Sequence, residues 1–144
     1  MIPKPRTGPG VHVGIDEAMI RRQVHTFYRR VRLDPVLGPI FNDAISDWDE
    51  HLGKLCDFWS SVLLMTGRFK GSPMLVHTRL QAIGPGHFIR WLDLFGETAR
   101  QLCPPPAAAL FAAKAEMIAQ SLQFGIAASR GELPPVRRSG SAGN

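Results

Sequence analysis

Apolar residues recur at helical spacing near the start of the chain. The repeat has intervals of four, three and four residues, and it consists of Ile20, Val24, Phe27 and Val31. This is the stripe of an amphipathic α-helix, which we expect to run from Ile15 onward. Asp34-Pro35 should end the helix, because the residue before a proline disfavours helical backbone.

The middle of the chain is less regular. Residues 36–45 are too short and too rich in turn residues for a long helix, so we expect a corner there. Ser46 is predicted to cap a second long helix, which Gly67 would end. After a loop at residues 68–73, residues 74–80 are predicted to form a short helix.

Two longer helices complete the pattern. The apolar face of the first consists of Phe88, Trp91, Leu92, Phe95 and Leu102. Three prolines at residues 104–106 should terminate it. The second covers residues 107–130, which are dominated by strong helix formers, and Gly131 closes it. Because no segment alternates as a strand does, the predicted fold class is all-α.

Length and composition are consistent with one domain. The chain has 144 residues, of which 44% are hydrophobic, enough to fill a core. We expect a domain over residues 15–131, between flexible segments at residues 1–14 and 132–144. No run of 18 apolar residues and no secretory signal occurs, so we expect a cytoplasmic protein without a membrane partner.

Charge and cysteines exclude several functions. The net charge is +5, but the arginines are spread over solvated faces, so we expect no nucleic-acid partner. Cys56 and Cys103 belong to no CxxC or CxxCH motif and should be buried apolar residues. Zinc-hydrolase, esterase and P-loop motifs are absent from the sequence.

Three histidines are candidate site residues. His51 shares a helical face with Leu55 and Phe58, so it points inward or toward a pocket. A lone histidine there is more often a core residue than a ligand. His77 lies in the short segment after the loop and is the second candidate. Haem iron takes a neutral imidazole as its ligand, which a histidine in this segment can supply. His87 is either an alternative ligand or a polar residue of the first helical turn.

One tyrosine adds a hydrogen-bond donor. Tyr28 follows the core-facing Phe27 directly, so its ring lies at the edge of the same buried face. Together with His51 it can stabilise the partial negative charge of a diatomic ligand bound to haem. A purely structural role for Tyr28 explains the pattern equally well.

Six blocks of sequence together resemble one protein family. They are FYRRVR at 27–32, DPVLGPIF at 34–41, WDEH at 48–51, DFW at 57–59, GSPMLVH at 71–77 and HFIRWLDLF at 87–95. In this order and spacing they resemble the truncated haemoglobins, most closely the third group, over about residues 15–130. The resemblance implies a truncated globin fold, a two-on-two helical sandwich around haem b.

The resemblance also implies residue roles. His77 would be the proximal iron ligand, and Tyr28, His51 and Trp91 would stabilise the ligand on the distal side. The haem contacts would further include Phe41, Leu55, Phe58 and Trp59. The candidate propionate partners are Lys54, Lys70, Arg79 and Arg90, of which we count Lys54 and Arg79 among the cofactor-binding residues.

The function expected from this resemblance is binding of oxygen and other small ligands. The others are nitric oxide, carbon monoxide, cyanide and peroxide. Nitric oxide dioxygenase or peroxidase-like chemistry would need a separate reductase, since the sequence has no flavin or nicotinamide motif. We expect a monomer. The alternative is a haem-free helical protein-interaction module, with the aromatic residues as core.

Overall fold

Helices form all the regular structure that the computed structural model describes, which covers residues 8–71, 83–129 and 131. A 3-10 helix at Pro9–Val13 precedes five α-helices. These are α1 (Glu17–Leu33), α2 (Leu37–Ala44), α3 (Trp48–Leu64), α4 (Pro85–Leu102) and α5 (Pro105–Ser129). The predicted short helix at residues 74–80 lies outside the described residues. None of the described helices is long and apolar enough to span a membrane.

Two of the long helices, α1 and α3, begin at an aspartate that accepts a backbone N–H group. Asp16 caps α1, and its Oδ1 accepts the N–H of Met19 at 2.9 Å. Asp47, not the predicted Ser46, caps α3 by accepting the N–H of Glu50 at 3.1 Å. The carboxylate also favours the positive end of the helix dipole, which explains why the aspartate takes the position.

Two helix pairs contain the core. α1 packs against α3, α4 packs against α5, and the pairs meet through the contact of α1 with α4. The predicted stripe of α1 lies in this core, with Phe27 fully buried next to Phe95 of α4 and T-shaped to it at 4.9 Å. The Gln23 side chain also joins these helices by donating to the Phe95 carbonyl at 3.1 Å. The two-on-two, all-α prediction is confirmed.

The N-terminal segment packs more closely than the sequence indicated. Residues 1–14 were expected to be flexible, but Gly8 and Gly10 are buried beside the end of α3. A Cβ on Gly8 would lie only 2.2 Å from the carbonyl oxygen of Leu63. Glycine thus permits a backbone approach that no hydrophobic pattern reveals, and residues 8–14 belong to the packed structure.

Asp34 joins three helices at the corner after α1. Its Oδ2 accepts the N–H groups of Val36 and Leu37 at 3.0 and 2.9 Å, which starts α2. Arg90 of α4 binds both carboxylate oxygens, at 2.8 and 2.7 Å. The hydrogen bond from Arg90, aided by the two backbone N–H groups and opposed by burial, lowers the pKa of Asp34 to about 2.

Removing this carboxylate should weaken the corner. Asp34→Ala is expected to lower the free energy of unfolding by about 1–2 kcal/mol at pH 7, since a helix cap is lost. Because its folded pKa is below the ordinary value, the stabilisation is present above about pH 4 and lost as pH falls toward 2. Urea unfolding at several pH values measures both effects. The exposed Asp93 supplies the control Asp93→Ala, and an equal loss there would contradict this role of Asp34.

Candidate functional site

A cleft opens between the two helix pairs. Its empty volume is about 550 Å³, including the part that opens to solvent. α3 supplies one side through the face that His51 shares with Leu55 and Phe58, as the sequence predicted. Among the described residues, the lining consists of Tyr28, His51, Lys54, Leu55, Phe58, Trp59, Phe69, Trp91, Ile118 and Leu122.

Tyr28 is the buried polar group of the cleft. Only 3% of its surface is exposed, and its ring contacts Phe27 at 4.6 Å between centroids. Burial raises the pKa of the Tyr28 phenol well above its usual value, with the Trp91 side chain acting in the opposite direction. Tyr28 therefore stays neutral and keeps its proton at physiological pH.

His51 and Trp91 complete the polar part of the site. The His51 ring lies 6.3 Å from the Tyr28 ring, perpendicular to it. Trp91 is stacked on Phe95, and Phe95 on Trp59, with centroid distances of 5.6 and 5.1 Å. These stacked rings fix the position of Trp91 from behind. Three side chains with polar hydrogens are thereby gathered on one part of the cleft.

Apolar side chains form the rest of the walls. Leu55, Phe58 and Trp59 all line the cleft. Sequence reasoning missed Phe69, Ile118 and Leu122 as cleft residues. The last two lie four residues apart on α5, a spacing that indicates a common face. Phe69 has no such signal, because it follows α3 in a loop, where its N–H donates to Ser61 Oγ at 2.9 Å.

Phe41 lies beside the cleft without lining it. The ring is 2% exposed and 6.2 Å from the Tyr28 ring, so it supports Tyr28 from within the core. Its direct contact with a cofactor stays a prediction. His77 and Arg79 lie outside the described residues, and their roles stay predictions as well.

The basic residues that are candidate propionate partners lie in different places in the structure. Lys54 is exposed and lines the cleft, where its ammonium can meet an acidic group of a bound cofactor. Arg90 is held by Asp34 and borders a different surface cavity, so the structure does not support it as a propionate partner. Lys70 is exposed and does not line the cleft.

His87 has a local structural role. Its Nδ1 accepts the N–H of Gly84 at 2.8 Å and so caps the start of α4. This supports the interpretation of His87 as a polar residue of the first turn. The cysteines also behave as expected, because both are unpaired thiols, Cys103 is buried and Cys56 is partly buried. Burial raises the pKa of each thiol.

Fold and cleft together define a globin-type protein. The group 3 truncated haemoglobin ctb of Campylobacter jejuni is 34% identical over 113 residues, which cover 76% of this chain and 89% of that protein. A crystal structure of group III truncated haemoglobin from Campylobacter jejuni superimposes with a TM-score of 0.72 at 35% identity, covering 78% of this chain and 91% of the other. No protein-family profile matches the chain. The chain belongs to the group III truncated haemoglobins.

The globin family implies a haem cofactor, and the chemistry of the side chains that line the cleft suits one. Leucine, isoleucine and aromatic side chains offer flat apolar surface to a porphyrin, while the exposed Lys54 suits a carboxylate at the edge. The Tyr28 phenol adds a polar group to this mostly apolar lining.

Proposed function

We propose that the protein holds haem b in this cleft and uses it to bind oxygen and other small ligands reversibly. The observation that supports this most is the buried, neutral Tyr28 phenol, which shares the cleft with His51 and Trp91. When bound, haem supplies an iron atom at which small ligands bind. The b type is inferred because neither cysteine belongs to a CxxCH attachment motif.

Different residues of the protein would hold the apolar ring, the propionates and the iron of the haem. Leu55, Phe58 and Trp59 would hold the haem by apolar contact and exclude water. Lys54 and Arg79 would pair with the propionates, and His77 would be the proximal ligand. These assignments follow the family resemblance. The position of Lys54 on the cleft supports its pairing with a propionate.

Tyr28 would act on the bound ligand through its proton. A ligand such as oxygen gains partial negative charge on binding, and a neutral phenol can donate a hydrogen bond to it. Trp91 lines the same cleft and would add an indole N–H donor. His51 would contribute a third donor from α3. We therefore expect slow ligand release.

Redox chemistry on nitric oxide or peroxide is our second candidate function. The convergence of Tyr28, His51 and Trp91 favours it, because donors that stabilise developing charge also assist bond cleavage. Electrons would come from a separate reductase, since the sequence carries no flavin or nicotinamide motif. Cytoplasmic location and a monomeric state remain our predictions.

Absorption spectroscopy tests the main proposal. The purified protein, reconstituted with haem, is expected to show a Soret band at a stoichiometry of about one haem per chain, with a shift when carbon monoxide is added to the reduced form. A haem titration gives the stoichiometry. If no stoichiometric band forms, the globin-type function is wrong for this chain, and the haem-free interaction module becomes the better interpretation.

A further inference from the structure

Trp48, the first residue of α3, contacts both polar rings of the cleft without lining the cleft. Its ring centroid lies 5.8 Å from that of His51 and 6.0 Å from that of Tyr28. Trp48 is half-buried and is not among the cleft residues. It therefore packs against the Tyr28–His51 pair from outside the lining of the cleft.

Two residues from other helices hold the Trp48 ring. The guanidinium carbon of Arg32, near the end of α1, lies 4.8 Å from the ring centroid. The indole N–H donates to Asn42 Oδ1 of α2 at 3.2 Å, and Asn42 Nδ2 donates to the Arg32 carbonyl at 3.2 Å. We refer to Arg32, Asn42 and Trp48 together as the latch. It joins α1, α2 and α3 directly beside His51.

Helix formation alone does not require this arrangement. Asp47 already caps α3, and its bond to the Glu50 N–H is independent of the indole. Exposed arginines and asparagines seldom hold one geometry unless several contacts act together, because fixing their side chains costs entropy. Two contacts converge here on one indole, and a third joins the two residues that make them. The indole in turn packs on a histidine of the cleft.

We propose that Trp48 is a positioning residue, which the latch holds in place so that His51 stays directed toward the cleft and ligand access from solvent is slowed. An imidazole has two rotatable side-chain bonds, so its position depends on the rings packed against it. Weakening the latch releases Trp48, and His51 can then move away from the cleft. This inference rests on the proposed function, because it concerns the admission of ligands to a haem site.

Carbon monoxide association after flash photolysis tests the latch in haem-reconstituted protein. Arg32→Met keeps the aliphatic stem but removes the cation, and it should raise the association rate constant by about twofold to fivefold, the change that the loss of one exposed cation–π contact corresponds to. Arg32→Lys keeps a cation and should remain close to wild type. Arg29→Met, at an exposed arginine of the same helix, is the matched control.

A double variant shows whether the effect passes through His51. In a His51→Ala background, adding Arg32→Met should leave the association rate unchanged, whereas general loosening of the fold would raise it in both backgrounds. Equal rates for Arg32→Met and wild type would overturn the proposal. So would an undiminished effect of Arg32→Met in the His51→Ala background.

A second measurement does not depend on ligand binding. Proton exchange of the Trp48 indole N–H, followed by NMR, should accelerate in Arg32→Met and in Asn42→Ala, because the latch protects this group. Asn42 is exposed, so its replacement should leave the fold intact. Unchanged exchange in both variants would overturn the latch. If the wild-type protein retains no haem, the proposed function fails, while the exchange measurement still tests the latch.

Discussion

Tyr28→Phe, reconstituted with haem, is expected to release oxygen about tenfold to a hundredfold faster than the wild-type protein. The substitution removes one hydroxyl and leaves a ring of the same shape in a core position that is only 3% exposed. A hydrogen bond to a charged partner contributes about 1.5–3 kcal/mol, which corresponds to this range of rates. Haem affinity should change little, because the apolar contacts of the ring remain. Stopped-flow displacement of oxygen measures the release rate.

Two comparisons make the result specific to the hydroxyl. Carbon monoxide accepts less negative charge than oxygen, so its release should respond less to Tyr28→Phe. Because burial raises the pKa of the phenol above its usual value of about 10, oxygen release from wild type should show no Tyr28 titration between pH 6 and pH 9. Equal release of oxygen by Tyr28→Phe and wild type would contradict the role of this donor.

Local patterns predicted the helices well. The stripe ending at Val31 lies in the core of α1, and the Asp34-Pro35 pair marks its end, because both signals act within a few residues. The end of α3 was less accurate. We expected Gly67 to stop the helix, but the last helical residue is Leu64, and Met65 takes the left-handed conformation with φ of 56°. Boundaries depend on tertiary contacts as well as on residue type.

Contacts between distant segments escaped the sequence pattern. The pair of Asp34 and Arg90 spans 56 positions, and only the fold shows that it withdraws Arg90 from the cleft. The packing of Gly8 on Leu63 depends on the absence of a side chain, which no hydrophobic periodicity registers. Phe69 lies in a loop whose course is set by bonds to α3.

The sequence indicated the candidate site through helical spacing and through family resemblance. Helical spacing alone placed His51, Leu55 and Phe58 on one face, and the structure brings that face to the cleft. The pairing of Tyr28 with Trp91, which lie on different helices, followed from family resemblance, since spacing cannot relate separate helices. The sequence offered Trp48 only as part of the WDEH block, because its contacts with Arg32 and Asn42 require the corner between α1 and α3.

His77→Ala is expected to lose most of its tightly held haem. His77 lies outside the described residues, so the prediction rests on the family resemblance and on iron's need for an axial imidazole. Loss of hydrogen-bonded support behind a metal ligand already costs tenfold to a hundredfold in affinity, so loss of the ligand should cost at least about that much. The rate of haem transfer to an excess of an acceptor apoprotein measures the change. Added imidazole should restore the absorption spectrum if the cavity left behind admits it.

His87→Ala is the matched control, because His87 is the other histidine that the sequence offered as a ligand. Its Nδ1 accepts the Gly84 N–H, so its replacement should cost about 1 kcal/mol of helix capping and leave haem in place. The opposite result, haem retained in His77→Ala and lost in His87→Ala, would transfer the proximal role to His87. Haem loss from His77→Ala but not from His87→Ala would instead separate two contributions to haem binding, the iron–imidazole bond and the apolar contacts of the cleft. The walls of Leu55, Phe58 and Trp59 would then supply apolar affinity that is insufficient without the iron–imidazole bond.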